Sequence, residues 1–365
     1  MASLDRVIWA DALHQTAEAW TDPDYGPRVD RITRACETEA YPFTEEHITF
    51  AVNQQMDACL RASLQSVAAA PKLDVTAAHL HLQGQRPLYG LPLIVYLTLR
   101  GVTVHVSTTH VQPLLQDLLQ AVRTQANSEQ NSEQNPVPEA APVQWEDTVP
   151  AGMPILTLGS GNSSANDDDA AWTYVERPAV VVLDGNESAD EREALAEDIL
   201  VYDGRAPQHV GLIWAPEGLA PDAYLESLAH MRGAIPAHES IPGTLQMQQA
   251  FLEAQDAPHA YADDLTFLFS RGAPEIQSGL HVRWAEYAGL DEAGAWVAGR
   301  ASAAGPVLCR EGLYDRVQRV VPDGQRVARL GTLHRADWWP PSVQALQSFV
   351  YEKSLRSPES PSLDS

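Results

Sequence analysis

Residues 179–216, AVVVLDGNESADEREALAEDILVYDGRAPQHVGLIWAP, constrain the fold of this chain more than any other stretch. They open on five consecutive apolar residues, turn through Asp184, Gly185 and Asn186, and continue as a helix-compatible segment over 190–201. A glycine loop at Gly204 then leads into a second apolar run over 209–214. Continuous β-branched runs mark strands buried on both faces, and a helix between two of them is the crossover that parallel pairing needs. Asp190 and Glu191 stand where the positive end of a helix dipole favours acids, and Leu195, Ile199 and Leu200 share one face. The segment predicts a β-α-β unit of a parallel sheet.

The same alternation recurs along the chain. Thr44 followed by two glutamates caps a helix with Ile48, Val52, Met56, Cys59 and Leu60 at helical spacing. Apolar periodicity then predicts strands at 79–82, 102–106, 155–158, 180–183, 265–269, 280–284 and 306–309. Helices are predicted at 88–99, 110–123, 224–231, 292–301 and 342–353. Strand and helix in alternation make an α/β protein with parallel sheets. Residues 127–142, NSEQNSEQNPVPEAAP, are too polar and proline-rich to bury a core and read as a disordered insertion within one domain. The tail 357–365 reads the same way.

Charge narrows the partners. The chain has 24 basic and 49 acidic residues, a net charge of −25, and its only lysines are Lys72 and Lys353. Such a surface repels nucleic acid and anionic membrane, and its near loss of lysine suits solvation at high intracellular salt. Cys36, Cys59 and Cys309 are far apart without a CxxC, which predicts neither a disulfide framework nor a zinc site and points to a reducing cytoplasm. The N-terminus lacks the cationic start and apolar core of a signal peptide. The most apolar run, 91–106, is interrupted by Arg100 and Gly101, so no membrane span is expected. Oligomerisation is left open.

Local chemistry is sparse. Gly159, Ser160 and Gly161 follow a strand, where backbone amides can meet a phosphate, but Ser164 replaces the last glycine of a dinucleotide fingerprint and an ordinary turn is the favoured reading. His79 and His81 share a strand face with no further ligand at metal spacing, so they read as half-buried histidines and no metal is assigned. There is no GxSxG elbow. Asp184 and Glu187 follow a buried strand, a place for functional groups but also for helix caps, and the cap is favoured.

Taken in order, these segments resemble the fatty acyl-CoA reductases of bacterial bioluminescence (LuxC-like), a branch of the aldehyde dehydrogenase superfamily. YPFTEEHITFAVNQQM is similar to that family's "FTEE" helix, residues 84–92 to its first glycine-proline turn, and TLGSGNSS (157–164) to its "TGSNNTA" loop. VVLDGNES (181–188) resembles "AVLDGNET", VYDGRAPQHVGL (201–212) resembles "YFGLGCRNVSKL", and PDGQ (322–325) resembles "PFGQ". Residues 334–349 fit loosely over its closing "WDYADGVDTLKF".

The resemblance implies two α/β layers with a cleft between them. These are a nucleotide-binding part over 1–178, a catalytic-type part over 179–330, and a C-terminal helix within 331–356 that returns to the core. It implies a cysteine that attacks an acyl thioester and an NADPH hydride that releases the aldehyde. Pro207 occupies the position of that cysteine, Ala206 that of a glycine, and Gln208 and His209 those of an Arg-Asn pair. By the same resemblance Gly159, Ser160, Ser107 and His105 fall at the NADP site, with His105 and Thr109 where the family carries lysine. Proline has neither a thiol nor an N–H, so the nucleophile is missing and His209 and Glu187 are the remaining catalytic candidates. Two readings stand: an impaired acyl-CoA reductase, or a non-catalytic remnant that binds acyl-CoA, a nucleotide or a protein partner.

Overall fold

The computed structural model describes residues 6–130, 142–146, 153–159, 171–335 and 341–347. The fold expectation holds: the chain forms two mainly parallel sheets wrapped by helices. The predicted 357–365 tail lies outside the described residues, as do 131–141 of the predicted insertion.

Four helices come first: α1 (Arg6–Thr21), α2 (Gly26–Cys36), α3 (Glu45–Arg61) and α4 (Leu64–Ala69). Only α3 is legible in the sequence. Thr44 caps it as expected, but the reciprocal partner of the capping box is His47 rather than a glutamate. In α1, Trp9, Leu13, Ala17 and Trp20 form a buried stripe, and the Trp9 indole donates to the Thr98 hydroxyl at 3.1 Å.

The first sheet contains β1 (Ala77–Leu82), β2 (Thr103–Thr108), β3 (Val143–Trp145), β4 (Ile155–Gly159) and β5 (Ala171–Val175) in the order β3-β2-β1-β4-β5, all parallel. Helices α5 (Leu91–Leu99) and α6 (Pro113–Gln130) supply the crossovers around β2. Residues 127–130 complete α6, so the part of the predicted insertion that is described is helical at its start. The helix keeps going because Leu118, Leu119, Val122 and Ala126 continue its buried face.

The second sheet has the order β12-β11-β6-β7-β10-β9-β8, parallel except for the edge pair β8–β9. Its strands are β6 (Ala179–Val182), β7 (Val210–Pro216), β8 (His259–Tyr261), β9 (Leu268–Arg271), β10 (His281–Tyr287), β11 (Val307–Cys309) and β12 (Val327–Arg329). One face is covered by α7 (Ala189–Leu200), α8 (Asp222–Arg232) and α9 (Ile241–Ala254), the other by α10 (Leu290–Gly299) and α11 (Tyr314–Val320). The strand predicted at 265–269 begins three residues later, because Leu265 takes a left-handed φ of 54° in the preceding turn. Of the predicted C-terminal helix, residues 341–347 (α12) are described as helical, with Val343 and Leu346 in the core of the first layer.

Candidate functional site between the two sheets

The carboxyl ends of β4 and β5 meet the amino ends of β6, β7, β11 and β12, and the loop 201–209 between α7 and β7 fills the junction. Its shape is imposed by three successive left-handed residues, Tyr202 (φ 66°), Asp203 (φ 52°) and Gly204 (φ 65°). The first two cost about 1–2 kcal/mol each for lacking glycine's freedom. Buried partners hold them there: Arg232 donates to Asp203 Oδ1 at 2.9 Å and the His238 amide to Oδ2 at 2.8 Å. Tyr202 packs edge-on against Phe43, Phe50 and His334. A Cβ on Gly204 would lie 2.2 Å from the Gly279 carbonyl carbon, so only glycine fits. Tyr202 and Ala206 thereby join the core of the first layer, which fixes the loop to both halves.

Pro207 is buried in that loop. Gln208, next to it, donates to Glu176 Oε1 at 3.4 Å, and Glu176 Oε2 accepts from the Tyr89 hydroxyl at 2.9 Å. Arg86 stands 3.8 Å from the same carboxylate and over the Tyr89 ring. The Glu176 amide in turn donates to the Gly159 carbonyl at 2.8 Å. Gly159 and the loop bearing Pro207 therefore face one junction, with Glu176 between them. Gly159 is tightly placed as well, since a Cβ there would lie 2.3 Å from Gln83 Cβ. Ser160 lies outside the described residues.

A cavity of about 350 Å³ opens at this junction, lined among others by Tyr174, Glu176, Arg177, Gln208, Gln325 and Arg326. None of the three cysteines lines it. Burial pushes the Cys59 and Cys309 thiols up to about 12, and burial with Glu45 and Glu46 raises that of exposed Cys36. All three favour the thiol, the unreactive form.

The other sequence candidates fall in different places. The His209 ring lies between two backbone carbonyls, Nδ1 at 3.2 Å from Ala206 and Nε2 at 3.1 Å from Gln277. Burial lowers its pKa, and a neutral ring donates to one of them, so His209 braces the loop and has no nitrogen free to act as a base. Glu187 sits at the opposite end of β6, about 10 Å away along the strand. Its buried carboxylate accepts from the Asp184 and Gly185 amides and from the Tyr224 hydroxyl, so it closes that turn. Ser188 is the helix cap proper, and Asp184 pairs with Arg310 at 2.8 Å.

His105 and Ser107 lie on one face of β2. Ser107 Oγ is 2.8 Å from both His79 Nε2 and His81 Nδ1, donating to one and accepting from the other. His105 Nδ1 is 3.1 Å from Glu146 Oε1. Burial lowers the pKa of His79 and His81, which keeps them neutral. These groups are engaged with one another, and the Glu146 carboxylate among them opposes a phosphate. None of these groups is an arginine or lysine, the side chains that pair with a 2′-phosphate.

Sequence reasoning missed Glu176, Arg86, Tyr89, Arg177 and Arg326. VERP at 175–178 gave a visible signal, a charged pair at the end of one strand and directly before another.

No protein-family model matches the sequence, and no curated protein does. Solved structures do. An oxidoreductase from Marinobacter aquaeolei superposes with a TM-score of 0.65 at 11% identity, over 89% of this chain and 77% of that one. An NAD-dependent aldehyde dehydrogenase from Sinorhizobium meliloti gives 0.64 at 10%, over 90% and 74%. NADP-dependent glyceraldehyde-3-phosphate dehydrogenase from Bacillus halodurans C-125, complexed with NADP, gives 0.61 at 10%, over 88% and 77%. The fold is aldehyde dehydrogenase-like. No helix among the described residues is long and apolar enough to cross a membrane.

Proposed function

We propose that this chain is a binding protein on an aldehyde dehydrogenase-like scaffold, holding an acyl thioester or a nicotinamide dinucleotide between its sheets without forming a thioacyl enzyme. The observation that carries this reading is buried Pro207 in the inter-sheet loop, with every cysteine of the chain away from the cavity. A thioacyl enzyme needs a thiolate that both attacks and leaves, and the cavity offers none. The fatty acyl-CoA reductase resemblance supplies the ligand class, and the Ser107–Glu146 face favours NAD over NADP. A bound dinucleotide would supply hydride chemistry; this chain's own part is to orient the ligand, with Glu176 holding Gln208 at the junction.

The test is a pair of measurements on the purified chain. Long-chain acyl-CoA or NADH should raise the melting temperature, with NADPH less effective, because a ligand that binds only the folded state stabilises it. Nicotinamide oxidation with acyl-CoA should not exceed a heat-killed control. Turnover above that control would instead establish an acyl-CoA reductase.

A further inference from the structure

We propose that Arg177 and Arg326 form a phosphoryl-binding site in the inter-sheet cavity, one that takes a phosphomonoester or the pyrophosphate of a nucleotide. The proposal rests on the reading of that cavity as a ligand site and names the group recognised there.

Both arginines line the same cavity, beside Tyr174, Gln208 and Gln325. They come from different strand junctions, Arg177 between β5 and β6 and Arg326 just before β12. Their backbones are fixed to one another through a third segment: the Gly305 amide donates to the Pro178 carbonyl at 2.7 Å, and the Val307 amide to the Arg326 carbonyl at 2.9 Å. The Gln325 side chain donates to the Gly305 carbonyl and closes this frame. The backbones of the two arginines are thus held on one wall, with Arg177 half-buried and Arg326 exposed.

Neither has a charge partner among the described residues. Several arginines elsewhere are committed to carboxylates: Arg232 to Asp203, Arg310 to Asp184, Arg335 to Glu197. The carboxylates near the cavity do not take up the two cations. Glu176 is committed to Tyr89, Gln208 and Arg86, and Asp323 lies at the exposed mouth without a hydrogen bond to either arginine. Burial and then Glu176 raise the Tyr174 pKa, and both guanidiniums lie close enough to the phenol to oppose that rise in part. In a chain of net charge −25, two cations that line one concavity without an ion-pair partner among the described residues attract a dianion there. Guanidinium forks match phosphate oxygens two at a time, and two of them match a double negative charge. A cavity of about 350 Å³ is large enough for a pyrophosphate or a small phosphomonoester. This wall is separate from the His105 and Ser107 face, where the polar groups oppose a phosphate.

The experiment is calorimetric titration of the whole chain with inorganic pyrophosphate, glycerol phosphate and succinate at one ionic strength. Arg177→Gln, Arg326→Gln, the double variant and Arg61→Gln are compared; Arg61 is exposed, has no ion-pair partner among the described residues and does not line the cavity, so it controls for lost charge. Pyrophosphate or glycerol phosphate should bind at least tenfold more tightly than succinate, and each cavity variant should lose about tenfold, with unliganded melting temperatures and the Arg61→Gln affinity unchanged. Equal loss in Arg61→Gln, no loss in the double variant, or no phosphate binding would overturn the site. Competition separates the sources: displacement of pyrophosphate by coenzyme A or NADH assigns the site to a nucleotide, and displacement by glycerol phosphate alone assigns it to a small phosphomonoester. If acyl-CoA or a dinucleotide binds the wild type while neither pyrophosphate nor glycerol phosphate does, this site fails while the proposed function stands. If pyrophosphate binds and neither acyl-CoA nor a dinucleotide does, the function fails and this site stands.

Discussion

Gln208 donates its side-chain amide to the Glu176 carboxylate at 3.4 Å, tying the loop ahead of β7 to the end of β5. The bond crosses from one sheet to the other, and Glu176 also collects Tyr89 and Arg86 from the segment between β1 and α5. A single buried carboxylate thus gathers three chain segments at the junction.

Glu176→Ala should therefore cost about 3 kcal/mol, because it leaves the half-buried Arg86 and the buried Tyr89 hydroxyl without their acceptor. Tyr89→Phe, which removes one hydrogen bond and keeps the ring, should cost about 1 kcal/mol. Urea unfolding of both variants decides this; a loss below about 1 kcal/mol for Glu176→Ala would mean that the network contributes little.

Gly204→Ala should destabilise by about 3 kcal/mol or more, since the added methyl would lie 2.2 Å from the Gly279 carbonyl carbon and the residue would also hold φ at +65°. Gly279→Ala meets no atom within 4 Å and carries only the strain of φ +67°, so about 1 kcal/mol is expected. Thermal unfolding of the pair tests the close approach directly, and equal losses would refute it.

The parallel layers were legible because buried strands such as 179–183 are unbroken apolar runs and helices such as α3 carry a cap and a periodic face. Helices α1 and α2 were not, as alanines and tryptophans in α1 bury a face that only packing against α3 and α6 defines. At the site, Gly159 and Pro207 were found through their neighbours in sequence. Glu176, Arg86 and Arg326 were not, because their association depends on which strand ends meet, and sequence spacing carries no trace of it. Glu187 shows the converse: its place after a buried strand looked functional, yet its acceptor capacity is spent on its own turn and on Tyr224.

Asp198 on α7 accepts from the Gly331 and Leu333 amides at 2.6 and 2.9 Å, fastening the segment that leads to α12. Burial, its largest influence, nevertheless pushes its pKa up to about 8, against 3.8 ordinarily. The folded state therefore binds this proton more tightly than the unfolded state, and the stability it confers is full below about pH 4 and lost as pH rises towards about 8. The slope is on the order of 1.4 kcal/mol per pH unit. Asp198→Asn should be destabilising at about pH 4, where the amide opposes one of the two N–H groups, and progressively less so by about pH 8. A wild-type-minus-variant difference independent of pH would count against this assignment.

His47 shows the opposite sign. Burial lowers its pKa to about 4, with Asp203 and Glu46 partly opposing and Arg232 and His238 reinforcing. The unfolded chain then takes up the proton first, near 6.5, so stability is lost as pH falls below that value. The loss attributable to this residue should reach about 2 kcal/mol at about pH 5. His47→Gln removes the titration, and its stability relative to wild type should improve by that amount between about pH 7 and pH 5. Urea midpoints at the two pH values measure it, and parallel shifts in both proteins would show that other groups dominate.

Pro207→Cys restores a thiol and a backbone N–H at one position, the two groups that thioester attack and oxyanion stabilisation require. The loop around it is held by the Asp203–Arg232 pair and by the contacts of His209 with Ala206 and Gln277, none of which involves the proline ring. Loss of the fixed ring should cost about 0.5–1 kcal/mol through the freer unfolded chain. With a long-chain acyl-CoA, the introduced thiolate would attack the thioester carbonyl, forming a new thioester on its own sulfur and releasing coenzyme A as its thiol. Intact-mass measurement should show one acyl adduct on the variant, mapped by digestion to the loop, and none on wild type or on a Pro207→Ser control. Binding of acyl-CoA to the variant without any adduct would show that position 207 does not face the bound thioester, and the inherited-site reading of this cavity would be lost with it.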